Sequence, residues 1–365
     1  MIVVIIFFIA FILYVSVNVI YRKFWDKKLK VEVYLPSENV HEGERSNIKE
    51  IIINDKFLPL PILEIFFQLD KGLKYTDMAN SAVSDKLYRR DVFAVGIKRK
   101  ISRTFEIICQ KRGYYKLEKI EMMSSDLFLM DKHLGSKSCF SSFYVYPRKV
   151  KSDRIATPFS RIMGDLLVKK KLYEDPFAFG GIRNYTMTDP MNRINWKATA
   201  KSQDLVVNMY DSSMNSNVFI LLDTYGNRSV LAEDLNEESI RIASALVERL
   251  LVQGVEVNLE TNGIDCRTKE RIVLNDVRGL GISVIKQELA KLERVDQLSM
   301  DSLLKEVPKD TYVVLVSKNL ELENIVKQNL EDFLWIIPYQ YIKPQVEGIH
   351  NQYITWELES GDLTE

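Results

Sequence analysis

The sequence predicts a multidomain chain in which an N-terminal transmembrane helix precedes a β-sandwich and then an α/β domain. Three observations support this prediction. An apolar run of membrane-spanning length opens the chain, residues 31–150 alternate with a period of two, and strand-like and helix-like segments alternate after residue 212. The 365 residues suffice for an anchor and two domains of ordinary size.

Residues 1–21 form an almost unbroken apolar run, MIVVIIFFIAFILYVSVNVIY. About 20 helical residues span the roughly 30 Å hydrocarbon layer of a bilayer. No Lys or Arg precedes the run and no small-residue cleavage site follows it, which favours a retained anchor over a cleaved signal peptide. The run is hydrophobic on all faces, whereas a core helix of a soluble protein carries one apolar stripe.

A basic juxtamembrane segment, residues 22–30, follows the apolar run and contains Arg22, Lys23, Lys27, Lys28 and Lys30. Positive residues that flank a span stay on the cytoplasmic side. We therefore expect a single-pass protein of the plasma membrane with its N-terminus outside and its soluble domains in the cytoplasm.

Composition narrows the classes of partner. Lys plus Arg and Asp plus Glu number 50 each, and this balance argues against a nucleic-acid binder, which normally carries a basic surplus. No motif indicates a small-molecule substrate. The three cysteines, Cys109, Cys139 and Cys266, are isolated in sequence, so we expect buried or half-buried thiols rather than disulfides or a zinc site.

Residues 31–150 predict an immunoglobulin-like β-sandwich. Short runs rich in β-branched and aromatic residues are separated by turn residues: VEVYL, IKEIIIND, ILEIFFQL, RTFEIICQ, YYKLEKIEM and SSFYVYP. A segment of mixed character, residues 151–212, joins this domain to the next. It contains a linker-like stretch, KSDRIATPFS, and then a short helical candidate, SRIMGDLLVKKKLY.

Residues 213–343 predict an α/β domain with a mainly parallel, Rossmann-like sheet, because apolar strands alternate with amphipathic helices. VFILLD is the first strand, and Asn236 is a plausible N-cap for the helix that follows it. Residues 344–365 predict an acidic C-terminal tail without regular structure.

The segment 179–211, FGGIRNYTMTDPMNRINWKATAKSQDLVVNMYD, resembles the signature of the bacterial family known as domain of unknown function 58. Its signature residues are Arg183, Tyr185, Asp189, Pro190, Arg193, Ile194, Trp196, Lys197, Ala198, Thr199 and Ala200. This chain has Thr188 where the family usually has Gly. The resemblance extends upstream to Arg112-Gly113-Tyr114, to the reduced element Ser125-Asp126-Leu127-Phe128 and to Tyr146-Pro147-Arg148.

The resemblance implies an α/β domain of the von Willebrand factor type A kind. It also implies a partner, a MoxR-type AAA+ ATPase, and a role in complex assembly or envelope maintenance. The expected function is therefore a membrane-anchored, non-enzymatic adaptor or scaffold. Many relatives have a hairpin of two membrane helices, whereas this chain shows a single span.

Type A domains hold Mg²⁺ at the carboxyl edge of the sheet through carboxylate and hydroxyl oxygens. The matching loop here is Asp223-Thr224-Tyr225-Gly226-Asn227, in which a bulky phenol replaces a compact hydroxyl. Lys318 adds a positive charge where an acidic ligand is expected. We therefore expect a degenerate metal-site rim, formed by Asp223, Thr224 and Asn227, with no metal cofactor, and keep a Mg²⁺-dependent adhesion-type module as an alternative.

Catalytic residues cannot be assigned from the sequence. None of the histidines, His41, His133 and His350, lies near a Ser or Cys motif, and an unrecognised hydrolase remains the third hypothesis. Six signature residues have either a docking or a structural interpretation: Arg183, Tyr185, Asp189, Arg193, Trp196 and Lys197. In the structural interpretation, which we favour, Trp196 fills a seam between domains and the arginines pair with Asp189 and nearby carbonyls.

The expected topology is tested by adding protease to intact cells that make the chain with a C-terminal epitope tag. Because the soluble domains are expected inside, the tagged fragment should remain full length until the cells are permeabilised, which is the control. Digestion of the tagged part in intact cells would contradict both the topology and a cytoplasmic partner.

Overall fold

The computed structural model describes residues 2–77, 80–172, 174–212, 217–225, 229–294, 299–308, 311–349 and 352–359. The chain forms two compact units. The first comprises residues 1–149 with 286–292, and the second comprises 150–285 with 293–363. The three cysteines are free, Cys109 buried and the other two half-buried, as predicted.

Helix α1, Ile2–Phe24, begins the first unit. Among the described residues it is the one helix long and apolar enough to cross a membrane. Its most apolar stretch has a mean hydropathy of 2.9, and none of that stretch is buried inside the protein. Its last turn is different, because Tyr21 is 0% exposed and Trp25, just beyond it, is 5% exposed. The predicted juxtamembrane segment 22–30 therefore contains a core residue, and the first strand already begins at Leu29.

The end of α1 packs into the core of the sandwich. The hydroxyls of Tyr21 and Ser124 form a hydrogen bond of 2.7 Å, and the ammonium of Lys56 donates to the carbonyl of Trp25 at 2.6 Å. The Trp25 ring lies so close to Gly135 that a Cβ there would come within 2.9 Å of it. Gly135 is therefore required by space, and the helix is part of the sandwich rather than joined to it by a linker.

Two antiparallel sheets form the sandwich, with orders β1-β3-β8-β5 and β2-β10-β9-β4-β7-β6, apart from the parallel β2–β10 pair. The strands are β1 Leu29–Tyr34, β2 Val40–His41, β3 Arg45–Asn54, β4 Leu60–Leu69, β5 Leu73–Tyr75, β6 Ser81–Val83, β7 Leu87–Val95, β8 Arg99–Cys109, β9 Gly113–Ser125 and β10 Lys132–Tyr146. Alternate residues of the long strands are buried between the sheets, as the period of two predicts.

Strand β7 was not predicted, and its buried face explains why. Its core-facing positions are Leu87, Arg89, Asp91, Phe93 and Val95, so two charged residues interrupt the apolar alternation. The Nε of Arg89 donates to Asp91 at 2.5 Å, and the guanidinium stacks 4.1 Å from the centroid of the Phe105 ring. A buried ion pair thus replaces the apolar pattern that identifies a strand.

Glu50 lies in the same buried cluster and faces Arg103 across the β3–β8 pair. Arg103 donates instead to Asp91, at 2.8 Å. Among the described residues neither carboxylate oxygen of Glu50 has a hydrogen-bond partner, and neither does the hydroxyl of Tyr75. Burial, together with the negative charge of Asp91, raises the pKa of Glu50 to about 8.

The second unit contains an open sheet of order β15-β14-β13-β17-β18-β19, with β16 also paired to β14, and a separate two-stranded sheet of β11 and β12. Strands β14, β13, β17, β18 and β19 are parallel to their neighbours in this order, whereas the edge strand β15 is antiparallel to β14. From residue 174 onwards the strands are β11 Glu174–Asn184, β12 Val206–Ser212, β13 Asn217–Leu222, β14 Glu256–Asp265, β15 Arg271–Leu274, β16 Leu292–Glu293, β17 Tyr312–Val316, β18 Phe333–Tyr339 and β19 Tyr353–Glu357. From residue 152 onwards the helices are α2 Ser152–Leu172, α3 Trp196–Ser202, α4 Val230–Val252, α5 Val277–Leu280, α6 Ile282–Lys291, α7 Met300–Glu306 and α8 Glu323–Asn329, with short 3₁₀ helices at Met191–Arg193 and Leu320–Leu322.

Three features of the second unit differ from the sequence-based expectation. Helix α2 begins at Ser152 and contains Pro158, so the stretch read as a linker is helical. Helix α4 begins after the N-cap Ser229, seven residues before the predicted cap at Asn236, which is buried inside the helix. The predicted acidic tail contains β19, Tyr353–Glu357, an edge strand of the parallel sheet.

The pKa of Glu50 predicts how stability depends on pH. The folded chain holds a proton on Glu50 that the unfolded chain releases near its ordinary pKa of 4.5, so stability falls as pH rises from there to about 8. Glu50→Gln, which resembles the protonated acid, should match wild type near about pH 4 and exceed it near about pH 9 by at least about 1.4 kcal/mol, the equivalent of one pKa unit.

Thermal denaturation of the full chain at several pH values measures this difference. The matched control is the exposed strand residue Glu118, where substitution by Gln should change the melting temperature little at any pH. A Glu50→Gln variant that is less stable than wild type at alkaline pH would show that the ionised carboxylate is stabilised in the folded protein.

Candidate functional site

The predicted rim lies at the carboxyl ends of β13 and β17, two parallel neighbours in the middle of the sheet. From β13 the chain continues to β14 on one side, and from β17 it continues to β18 on the other side. This is the point where the strand order reverses, and in open α/β sheets ligands bind outside the carboxyl ends of the strands at such a point. Asp223 and Thr224 directly follow β13.

Asp223 is 1% exposed, and both of its carboxylate oxygens accept hydrogen bonds. Oδ1 accepts from the backbone N–H of Tyr225 at 2.9 Å and from Nδ2 of Asn262 at 2.7 Å. Oδ2 accepts from the hydroxyl of Ser317 at 2.6 Å. The carboxylate thus connects the ends of three adjacent strands, because Ser317 follows β17 and Asn262 lies in β14.

Thr224 belongs to the same network. Its backbone N–H and its hydroxyl both donate to Oδ1 of Asn262, at 2.8 and 3.0 Å, and its carbonyl accepts from Nδ2 of Asn236 at 3.0 Å. Asn227, the third predicted rim residue, lies outside the described residues. Asn262 was not singled out from the sequence; the signal was available, since it lies in the strand adjacent to the one that ends in Asp223.

Lys318 places a positive charge beside this network. Its ammonium donates to the carbonyl of Ala232 at 3.0 Å and to the side-chain oxygen of Asn236. Burial lowers the pKa of Lys318 to about 8, while the negative charge of Asp223 opposes that shift. An open cleft of about 590 Å³ adjoins this lysine, and its walls include Tyr225, Leu235 and Ile337.

The described part of the rim does not fit Mg²⁺. The ion requires oxygen ligands free to point at it, whereas the oxygens of Asp223 already face three hydrogen-bond donors. Thr224 directs its hydroxyl proton to Asn262, and the Lys318 ammonium repels a second cation. Among the described residues there is also no group of three His, Cys, Asp or Glu side chains that could hold a metal ion.

Two of the three histidines make contacts with other side chains or the backbone of the sandwich unit. Nδ1 of His41 lies 2.7 Å from the carbonyl oxygen of Pro147. The ring of His133 lies 5.6 Å from that of Tyr21 and 6.2 Å from that of Trp25, measured between centroids. His350 lies outside the described residues. Neither described histidine is hydrogen-bonded to a Ser or Cys, the arrangement that a hydrolase of the kind considered would need.

In the signature segment β11 pairs with β12, and a hydrogen-bonded cluster of polar side chains lies in the turn that follows β11. The guanidinium of Arg183 donates two hydrogen bonds to Asp189, at 2.6 and 2.5 Å, and Asp189 also accepts from the backbone and hydroxyl of Thr186. These donors, Arg183 first, hold the pKa of Asp189 well below its usual range. This pairing agrees with the structural interpretation of these two signature residues.

Behind this turn a small apolar centre orders the rest of the signature. Ile194 is 7% exposed and forms a β-bridge with Val207, which is 1% exposed. Asn195 caps α3 by accepting from the backbone of Ala198 at 2.9 Å, and Val206 donates to the hydroxyl of Thr199 at 3.1 Å. These contacts fix the orientation of α3 relative to the hairpin.

Trp196 is the first residue of α3 and is 66% exposed, so the structure does not give it the buried position that a packing role within its own unit would require. Lys197 beside it is also exposed, whereas Tyr185 and Arg193 are half-buried. Further apolar side chains of the segment are exposed: Phe179 62%, Ile182 50%, Met187 99%, Met191 73%, Leu205 46% and Met209 43%.

Replacing Asp223 by Ala should destabilise the second unit by roughly 3 kcal/mol, because three donors, two of them buried, lose their acceptor. Asp204→Ala, at an exposed loop position of the same unit, should change the free energy of unfolding by less than about 0.5 kcal/mol. Urea denaturation of the full chain measures both. If Mg²⁺ raised the stability of wild type but not that of Asp223→Ala, the rim would be a metal site after all.

No family model matches the chain. It is 19% identical over 258 residues to the uncharacterized protein YeaD of Bacillus subtilis strain 168, which covers 70% of this chain and 61% of that protein, less than two thirds of its length. Two solved structures that it resembles are a pilin and a cohesin. Domains D2 and D3 of the major pilin SpaD from Corynebacterium diphtheriae are 14% identical, and the match covers 30% of this chain and 50% of the pilin chain. A non-cellulosomal cohesin from Archaeoglobus fulgidus is 11% identical, and the match covers 35% of this chain and 96% of the cohesin chain. Their TM-scores are 0.22, too low to carry an argument.

Proposed function

We propose that the chain is a membrane-anchored, non-enzymatic adaptor whose second unit docks a protein partner at the cytoplasmic face of the plasma membrane. One observation carries this proposal: the signature segment exposes Trp196, four other large apolar side chains at half exposure or more, and two more at a slightly lower exposure. Large apolar side chains are usually buried in a monomer, and a concentration of exposed ones within one short segment is typical of an interaction site.

The chemistry of the exposed surface is that of a protein interface. Trp, Met and Arg are enriched in such interfaces, and Trp and Arg recur among the residues that contribute most to binding. Here the Arg183–Asp189 pair fixes the turn, and the N-cap Asn195 fixes the helix that presents Trp196. A surface held in one conformation before binding loses less conformational entropy when the partner docks.

The resemblance to the domain of unknown function 58 family suggests the identity of the partner, a MoxR-type AAA+ ATPase. The finer assignment of the second unit, a von Willebrand factor type A-like domain, is supported by its sheet, in which one antiparallel edge strand accompanies five parallel strands. In this proposal the rim holds no metal ion. It makes the edge of the sheet rigid, because hydrogen bonds to Asp223 hold the strand ends together. The biological role would be complex assembly or envelope maintenance.

Helix α1 supplies the anchor in this proposal. Its 23 residues reach about 35 Å at 1.5 Å per residue, enough to cross the roughly 30 Å hydrocarbon layer. Arg22 and Lys23 in its last turn favour a cytoplasmic location for everything that follows. The second unit is thereby confined to the cytoplasmic surface of the membrane, where it would meet its partner.

Trp196→Ala should lower recovery of the partner at least about tenfold, since truncating a central interface aromatic costs about 2 kcal/mol or more. The measurement is affinity capture of the full chain from a detergent extract, with the bound ATPase quantified. The matched control is Phe140→Ala, which removes a side chain of 91% exposure from the sandwich. Because Trp196 is exposed, its replacement should leave the melting temperature unchanged. Equal recovery with both variants, or no ATPase captured by wild type, would contradict the proposal.

A further inference from the structure

The turn between β9 and β10 presents four consecutive apolar side chains to the outside of the sandwich. Leu127 is 41% exposed, Phe128 45%, Leu129 57% and Met130 74%. Four such residues in a row do not occur on an ordinary soluble turn, which is normally polar. Leu127 and Phe128 end the element Ser125-Asp126-Leu127-Phe128 that the sequence analysis singled out and that the docking function leaves unexplained.

This apolar turn is built to hold one shape. Oδ1 of the buried Asp126 accepts from the backbone N–H of Met130 at 2.7 Å and from that of Asp131 at 3.2 Å. The backbone N–H of Asp126 donates in return to the carbonyl of Asp131 at 3.0 Å, and Leu129 occupies the left-handed region with φ +61°. Hydrogen bonds of Asp126 and Asp131 thus hold the two ends of the turn together, and the four residues between them are all apolar.

The apolar turn lies directly beside α1. The rings of Phe128 and Tyr14 have centroids 5.1 Å apart, and Tyr14 belongs to a helical stripe that continues through Val17, Asn18 and Tyr21 towards the sandwich. The spacing of three to four residues puts these side chains on one face of the helix. The turn therefore follows the helix along the face that the sandwich already contacts.

The position of Tyr14 gives the depth of the turn. Seven residues separate it from Tyr21, and at 1.5 Å per residue they correspond to about 10 Å along the helix axis. Tyr21 immediately precedes Arg22 and Lys23, which mark the headgroup level. Phe128 is therefore about 10 Å beyond that level, inside the roughly 30 Å hydrocarbon layer.

A second loop of the sandwich meets the helix at the headgroup level. Phe57, 76% exposed, shares a cleft with Ile20 and Phe24 of α1, and the Lys98 ammonium lies 4.5 Å from the Phe57 ring centroid. Lys27 similarly lies 4.8 Å from the ring of Phe24. Aromatic rings with adjoining lysines are typical of the bilayer interface, where the ring is buried and the ammonium reaches the phosphates.

We propose that the β9–β10 turn inserts into the bilayer beside α1, so that the sandwich has a second membrane contact and is partly embedded in the cytoplasmic leaflet. The occupant of this apolar face is lipid hydrocarbon, because the face is continuous with the lipid-facing helix and lies at the depth of Tyr14. The inference rests on the membrane anchoring proposed above, but not on the identity of any docked partner.

Site-directed spin labelling of the full chain in proteoliposomes of phosphatidylcholine and phosphatidylglycerol tests the insertion. Cys139→Ser and Cys266→Ser remove the accessible thiols, while the buried Cys109 remains. A nitroxide is then attached at Met130→Cys, at Ile5→Cys on α1, or at Glu118→Cys on an exposed part of β9. Collision with oxygen reports hydrocarbon, and collision with a water-soluble nickel complex reports water.

The expected result for the label at position 130 is high oxygen and low nickel accessibility, close to the values at position 5 and opposite to those at position 118. Nickel accessibility at 130 equal to that at 118 would overturn the insertion while leaving the anchor intact. Low accessibility to both reagents would also overturn it, because another protein surface would then cover the turn. If the label at position 5 were itself open to nickel, the anchor and the function proposed from it would fail first.

Discussion

The hydrogen bond between the hydroxyls of Tyr21 and Ser124 joins the apolar helix α1 to the interior of the sandwich, and the first unit is organised around that junction. Tyr21 is fully buried, so its hydroxyl needs a partner inside the protein, and Ser124 in β9 supplies it. Trp25, one turn later, fits over Gly135 of β10. These contacts fix the axis of α1 relative to the strands, and they also determine which loops lie beside its apolar surface.

Much of the fold was predictable because apolar patterns report burial directly. The apolar N-terminal helix, the period-two strands and the parallel sheet all carry such patterns. Strand β7 was missed because Arg89 and Asp91 occupy core positions, and no local pattern reveals that two buried charges will pair. The start of helix α2 was predicted too late because Pro158 is typical of a linker, whereas α2 contains it as the seventh residue and lacks one backbone hydrogen bond there.

The sequence indicated which residues lie at the rim, but not how their side chains are hydrogen-bonded. The replacements in the first rim loop indicated a degenerate metal site, but the sequence did not show that Asn262 and Ser317 would take up both oxygens of Asp223. The signature residues divided in an unexpected way. The charged side chains of Arg183 and Asp189 pair with each other, whereas the aromatic Trp196, at the first position of α3, is exposed.

The burial of Tyr21 and Trp25 bears on how this protein is handled in the laboratory. A cut made at residue 31, where a pattern of alternating residues first suggests a domain start, would remove two large aromatic side chains and Leu29 from the interior. The remaining fragment would expose the cavity they leave, together with Met122 and the strands around Gly135. A water-soluble version should instead retain the last turn of α1 and replace its outward apolar residues, so that the hydrophobic interior stays complete when the bilayer is absent.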